Sequence, residues 1–109
     1  MLYMERVSNM VIEGITWKDS PMYHMYLRDI VNFLIQDFEI TVDVVRQQQL
    51  MEEHGYWDYQ FKIPTFPLNT DGIDPSGMSI LIRNVTITNY DDAVAVKPAN
   101  KANQLATCA

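Results

Sequence analysis

The feature that most constrains this chain is a short apolar segment that occurs three times with the same internal break. Each copy has three apolar residues, a charged or amide residue, a Gly, Asp or Asn, and then an apolar–polar–apolar run. The copies are Met10–Trp17, Phe33–Ile40 and Ile80–Ile87. Their central isoleucines, Ile12, Ile35 and Ile82, are 23 and 47 residues apart. Self-similarity at such a spacing predicts a repeat architecture in which the copies stack on one another.

The break inside each copy indicates a bend between two short strands. A flat strand alternates its two faces strictly, but here the apolar positions change parity across Glu13-Gly14, Gln36-Asp37 and Arg83-Asn84. Gly, Asp and Asn are the residues that most readily adopt a left-handed backbone. We therefore predict a bend at the same place in three stacked coils.

A second set of strands is predicted at Tyr23–Leu27, Thr70–Asp74 and Ala93–Lys97. The middle member fits only if residues 43–68 leave the coil as an insert. Coils of 23 residues made of short strands are typical of a right-handed parallel β-helix, which is an all-β solenoid. An antiparallel sandwich would need hairpin turns, but the only Asp-Gly pair, Asp71-Gly72, lies inside a predicted strand.

Composition argues against several classes of partner. A net charge of −6 and a pI near 4.6 disfavour nucleic acid and anionic membrane surfaces. No apolar run reaches the roughly 18 residues of a transmembrane helix, and the N-terminus lacks the apolar core of a signal peptide. Cys108 is the only cysteine, so no disulfide can form within the chain.

A carboxylate cluster is predicted from the stacking. Asp71 and Asp92 are 21 residues apart, close to one coil, and neighbouring parallel strands lie about 4.8 Å apart. Asp71, Asp91 and Asp92 should therefore crowd on one face, where like charges favour proton sharing or raised pKa values. Consecutive Asp91 and Asp92 can both point outward only if a bend or bulge precedes Ala93.

Three interpretations of these carboxylates remain open from spacing alone. They suit general acid/base cleavage of a glycosidic bond, for which inverting enzymes separate the two groups by roughly 6.5–9.5 Å. Asp71, Asp74, Asp91 and Asp92 would also suit Ca²⁺. Each of them is also a common turn residue.

Two motifs resemble those of the polygalacturonases and their relatives in glycoside hydrolase family 28. Asn69–Asp74 resembles the Asn-Thr-Asp motif, and Asp91–Ala95 resembles the Asp-Asp-Cys motif with Ala93 in place of Cys. Upstream, Ile15–Tyr23 is similar to the Ser-Pro-aromatic turn that precedes the active-site coil. The resemblance runs from about Val7 to Cys108.

The resemblance implies inverting hydrolysis of α-1,4-galacturonosyl linkages in pectin or polygalacturonate, by a secreted protein. Carried over, Asp91 would be the general acid, while Asp71 and Asp92 would hold and deprotonate the attacking water. Asn69 would orient this cluster or contact the substrate. No metal or cofactor is predicted, and a monomer is expected for the full-length protein.

Two further residues are predicted to bind substrate. His24 aligns with Asp71 one coil earlier, so it is expected either to line a subsite or to be a surface histidine. Lys97 is predicted to neutralise a uronate. The aromatic residues of the insert, Tyr56, Trp57, Tyr59 and Phe61, would either form a sugar-stacking wall or pack on the solenoid.

The Gly-His-Gly and Arg-x-Lys motifs that follow in that family are absent from this sequence. We therefore expect residues 1–109 to form part of a catalytic β-helix, a central segment of a longer chain that is inactive by itself. A polysaccharide-binding β-helix without catalysis is the alternative hypothesis. A calcium-dependent structural module is a third.

Overall fold

The computed structural model describes residues 1–54 and 67–98. The elements in these ranges are β1 (Leu2–Glu5), β2 (Ser8–Glu13), β3 (Thr16–Lys18), β4 (Met25–Thr41), α1 (Val44–Glu53) and β5 (Ile73–Thr88). Every pairing between these strands is parallel. Strand β4 is central, because β1, β2 and β3 pair with one of its edges and β5 pairs with the other.

The strand register confirms the repeat spacing. Ile12 pairs with Ile35, and Ile35 pairs in turn with Ile82. Successive turns of chain therefore stack in parallel, with no hairpin among the named strands, which rules out the antiparallel sandwich for the described residues. The predicted all-β solenoid is confirmed.

The three predicted bends are also confirmed. Gly14, Asp37 and Asn84 have φ values of 68°, 54° and 50°. The side chains at the last two bends are joined, since Asn84 Nδ2 donates to Asp37 Oδ1 at 2.6 Å. The long strand β4 therefore bends at Asp37 and follows the turn of the coil.

A second stack of bends was not predicted. Asn9, Asn32 and Ser79 have φ values of 59°, 58° and 56°, and Asn32 Nδ2 donates to Asn9 Oδ1 at 2.8 Å. The third residue is a serine, so these three positions do not share the Gly, Asp or Asn that marks the predicted bends. Each coil consequently turns at more corners than the apolar pattern indicates.

The inward side chains of the coils form one apolar core. Ile35, Ile30 and Ile40 are completely buried in β4, and each such side chain contributes about 1.5–3 kcal/mol by leaving water. The core members are Ile12, Met25, Leu27, Ile30, Phe33, Ile35, Phe38, Ile40 and Ile73.

The chain leaves the coil where the insert was predicted to begin. The Val42 N–H still donates to the Thr88 carbonyl at 2.8 Å, and α1 starts directly afterwards. Asp43 caps this helix by accepting from the Arg46 N–H at 2.9 Å. The predicted aromatic wall of the insert (residues 56–61) lies outside the described residues. No helix in the described ranges has the length and apolarity needed to cross a membrane.

Two glycines provide a test of coil stacking. Gly77 has φ 143°, and an added Cβ would overlap the backbone carbonyl and amide of Ile30 on the neighbouring strand. Gly14 has φ 68°, and an added Cβ would meet open space. In urea unfolding we expect Gly77→Ala to cost about 2–4 kcal/mol and Gly14→Ala about 1 kcal/mol. Equal losses would contradict this packing.

Candidate active site

Two segments on adjacent coils carry the predicted site, residues 69–71 and residues 89–92. Ile73 and Val94 form a parallel bridge, and the Gly72 N–H donates to the Asp92 carbonyl at 3.0 Å. The Ile73 N–H donates to the Ala93 carbonyl at 3.1 Å. The backbone therefore stacks these segments in the predicted 21-residue register.

The three predicted carboxylates come together on this frame. Asp71, Asp91 and Asp92 each present an oxygen, and these oxygens lie within 4.8 Å of one another. Asp71 is buried, whereas Asp91 and Asp92 are exposed. The chain bends at Asp91 and at Ala93, so that consecutive carboxylates reach the same cluster, as the sequence required.

The nearest oxygens of the three carboxylates are close together. The distance of 4.8 Å or less joins one oxygen of each residue, whereas roughly 6.5–9.5 Å is the separation between whole carboxyl groups in inverting glycosidases. The parallel ladder contributes by spacing the coils that carry Asp71 and Asp92 about 4.8 Å apart. Two O–H···O bonds of about 2.5–3.0 Å each can still place one water between two such oxygens.

Hydrogen bonds stabilise the charged form of Asp91. Its Oδ2 accepts from the Asn69 N–H at 2.8 Å, and its Oδ1 accepts from the Asp92 N–H at 2.8 Å. These two donors, Asn69 first, lower the pKa of Asp91. A general acid must hold a proton at working pH, so these bonds oppose the role implied for Asp91, which stays a prediction.

Asn69 contacts the cluster through its main chain, and its orienting role stays a prediction. It has a left-handed backbone with φ 62°, which Asn adopts more readily than most residues. This conformation directs its N–H to the Asp91 carboxylate. Contact of the Asn69 side chain with a substrate remains a prediction.

Sequence reasoning missed the side chains that join the two segments. Thr70 is fully buried; its Oγ1 donates to the Pro67 carbonyl at 2.8 Å and accepts from the Tyr90 N–H at 3.1 Å. Asn89 Nδ2 donates to the carbonyls of Thr70 and Asp92, each at 2.9 Å. An asparagine directly after a strand suggests a hydrogen bond to the nearby main chain, as Asn89 makes to Asp92. Its second contact, with Thr70 19 residues earlier, depends on the strand register.

His24 lies beneath the Asp71 backbone and is 0% exposed, so the expectation of a surface histidine is wrong. Its Nδ1 is 3.0 Å from the Asp71 carbonyl, and its Nε2 accepts from the Ser20 N–H at 3.4 Å. These partners place the proton on Nδ1. Burial lowers the pKa of His24, against the hydrogen bond to Asp71, which raises it. The predicted substrate contact would require this ring to leave its position.

The alignment of His24 with Asp71 also needs correction. Met25 pairs with Ile73, so Tyr23 rather than His24 is in line with Asp71. The spacing between β4 and β5 is one residue longer here than beyond Ile30, because the register shifts between Leu27 and Ile30. A β-bulge of this kind cannot be read from apolar spacing.

Asp74 and Lys97 form an ion pair beside the cluster. The Asp74 side chain is fully buried, and its Oδ2 is 3.4 Å from Lys97 Nζ, whose side chain is 40% exposed. Burial, and then the charge of Asp71, raise the pKa of Asp74 to about 6, while Lys97 lowers it. Lys97 therefore already has a carboxylate partner, which a substrate uronate would have to share.

The cluster does not by itself identify a metal site. One cation could contact Asp71, Asp91 and Asp92 together, but exposed acidic groups often cluster without a metal. Asp74, the fourth predicted calcium ligand, contacts Lys97 instead. The calcium hypothesis therefore stays a prediction.

The raised pKa of Asp74 predicts a pH dependence of stability. The folded-state value of about 6 lies above the ordinary 3.8, so the proton bound by Asp74 stabilises the fold at low pH. This contribution is lost as the pH rises from about 4 through about 6. We expect the melting temperature of Asp74→Asn, relative to the parent protein, to increase across that window. A difference that is constant between pH 4 and pH 7 would contradict the shift.

The comparisons with known proteins agree with this geometry. The family model described as "Glycosyl hydrolases family 28" matches residues 1–108. No curated protein and no solved structure matches the chain. The matched range includes the stacked coils and both carboxylate segments. This chain therefore belongs to glycosyl hydrolases family 28, a family of parallel β-helix proteins.

Proposed function

We propose that the full-length protein hydrolyses α-1,4-galacturonosyl linkages in pectin and polygalacturonate, with inversion at the anomeric carbon. The observation that carries the proposal is the trio Asp71, Asp91 and Asp92, whose oxygens lie within 4.8 Å in a chain of family 28. Family membership implies a polysaccharide substrate. The linkage, the stereochemistry and the roles below are proposals.

The cluster supplies the groups that the reaction needs. Asp71 and Asp92 hold one water between their oxygens, and one of them takes its proton as the water oxygen bonds to the anomeric carbon. The bond from that carbon to the leaving oxygen breaks at the same time. Asp91 gives its proton to that oxygen, so that the departing sugar leaves as a neutral alcohol.

The acid role of Asp91 requires a gain in proton affinity. In the free protein two N–H donors lower the pKa of Asp91, but its side chain is exposed and open to a substrate. Each sugar of polygalacturonate carries a carboxylate, and a nearby negative charge raises the pKa of a carboxylic acid. Substrate binding would therefore shift Asp91 toward its protonated form.

Lys97 supports an anionic substrate. The structure places its partly exposed ammonium next to buried Asp74 and close enough to Asp71 and Asp91 to affect the charges of this cluster. Among the described residues, a uronate bound here would meet the Lys97 ammonium beside the carboxylates of the cluster. We further propose that the protein acts as a monomer outside the cell, where pectin is accessible.

Loss of one carboxylate tests the proposed activity. In the full-length protein, we expect Asp92→Asn to reduce the release of reducing sugar from polygalacturonate by about 10²–10⁴-fold, because the water loses its base. Glu39→Gln makes the same chemical change at an exposed position outside the two site segments and should retain full activity. Retained activity in Asp92→Asn would refute this assignment.

The same assay separates the competing hypotheses. A protein that binds polygalacturonate but releases no reducing sugar would support the binding β-helix. Proton NMR of the first product distinguishes the stereochemistry, because inversion of an α-linkage yields the β-anomer. The α-anomer would instead indicate a covalent intermediate, as carboxylates at close range permit.

The roles of the carboxylates can be separated with an activated substrate. An aryl α-galacturonide with an acidic phenol needs no proton at its leaving oxygen. We expect Asp91→Asn to lose activity on the polymer but to keep most of its activity on this aryl substrate. Asp71→Asn and Asp92→Asn should lose both. If one of these two variants shows the selective retention, that residue is the acid, and Asp91 is not.

A further inference from the structure

The backbone ladder between the two site segments stops at Gly72. From Gly72 onward, main-chain N–H groups donate directly to the next coil. Before it, the hydrogen bonds found between residues 69–71 and 89–92 involve side chains: Asp91 Oδ2 with the Asn69 N–H, Thr70 Oγ1 with the Tyr90 N–H, and Asn89 Nδ2 with the Thr70 carbonyl. In this part of the described chain, side chains therefore hold the carboxylates in register.

Asn89 differs from the other two because a single atom, its amide nitrogen, contacts both segments. Its amide nitrogen carries two hydrogens, and it donates to the Thr70 carbonyl and to the Asp92 carbonyl, each at 2.9 Å. Thr70 directly precedes Asp71, and Asp92 belongs to the cluster itself. The planar amide thus determines how far apart the two carboxylate-bearing backbones can lie.

We propose that Asn89 is a positioning residue that sets the separation between Asp71 and the Asp91–Asp92 pair. This inference rests on the proposed hydrolysis, because it assigns a residue that supports the same cluster without contacting the substrate. Two asparagine bridges at coil bends, Asn84 to Asp37 and Asn32 to Asn9, join bends of the solenoid and no part of the site.

The separation matters for two physical reasons. A shared water needs two oxygens within about 5–6 Å of each other, the sum of two short hydrogen bonds. The repulsion between the carboxylates also varies inversely with their distance. Other charged groups at the cluster are Asp74 and Lys97, and the His24 ring contacts the Asp71 carbonyl. A wider gap would loosen the water and weaken the repulsion between the carboxylates.

The test compares steady-state kinetics on polygalacturonate for two variants. Asn89→Ala removes both donors, whereas Asn89→Ser keeps one short donor and perturbs the fold less. Gln36→Ala is the matched control: Gln36 Nε2 donates to Glu13 and its Oε1 accepts from Arg83, both at 2.7 Å. Gln36→Ala therefore also removes one amide group with two hydrogen-bond partners, but this group lies outside the two site segments. Thermal unfolding of each variant measures the structural cost.

We expect Asn89→Ala to lower kcat by at least about 10-fold, since small misplacements of catalytic groups cost up to about 10²-fold. KM should change by less than a factor of about three, because Asn89 does not contact the substrate. The alkaline limb of the kcat–pH profile should move to lower pH as the repulsion weakens. Gln36→Ala should lose stability but keep kcat and the pH profile.

Two results would overturn the inference while leaving the proposed hydrolysis intact. One is an active parent protein whose Asn89→Ala variant keeps kcat within twofold. The other is a kcat loss without any change in the pH profile. If Asn89→Ala does not fold, the same criteria apply to Asn89→Ser. These variants are made in the full-length protein, and a full-length parent that releases no sugar would instead refute the proposed function.

Discussion

The parallel hydrogen-bond ladder on both edges of β4 is the constraint on which the rest of this structure depends. It stacks equivalent residues of successive coils in columns about 4.8 Å apart. Isoleucines consequently meet isoleucines inside the solenoid. Outside it, the rings of Tyr3 and Tyr26, which are register partners, stack at 5.6 Å with an interplanar angle of 10°. The same rule that builds the core also forces acidic residues of adjacent coils together.

The repulsion between crowded carboxylates must be offset, and the surroundings of Asp91 and Asp74 do this in different ways. Asp91 is exposed and accepts two main-chain N–H bonds, so its charge is stabilised. Asp74 is buried beside Lys97, and burial still makes its charged form costly. Neighbouring carboxylates in unequal surroundings are the usual physical basis for dividing acid and base roles. Here the surroundings favour the charged form of Asp91 and penalise the charged form of Asp74.

The site forms where the regular coil is interrupted. A regular strand would send Asp91 and Asp92 to opposite faces, and the bends at Asp91 and Ala93 prevent this. The left-handed Asn69 directs its N–H to Asp91, and the bulge between Leu27 and Ile30 shifts the coil below by one residue. At each interruption a side-chain oxygen accepts a main-chain N–H: Asp91 accepts from Asn69 and Asp92, and Ser76 accepts from Asp29.

The sequence by itself determined the solenoid and the membership of the cluster. Repeated apolar triplets with Gly14, Asp37 and Asn84 at their breaks report a backbone that must bend at fixed intervals, and stacking then brings Asp71 to Asp92. Both inferences follow from local chemistry and from a coil of 21 to 23 residues once the insert at residues 43–68 is left out.

Only the tertiary structure decided how the cluster is held and charged. The burial of His24, the pairing of Lys97 with Asp74 and the bridge made by Asn89 depend on contacts between distant residues. A one-residue bulge changes which of these residues face each other. Such a shift does not hide the apolar repeat in the sequence, because burial of an apolar side chain tolerates small displacements. It does change the polar contacts nearby, because a hydrogen bond forms only within a narrow range of distances and angles.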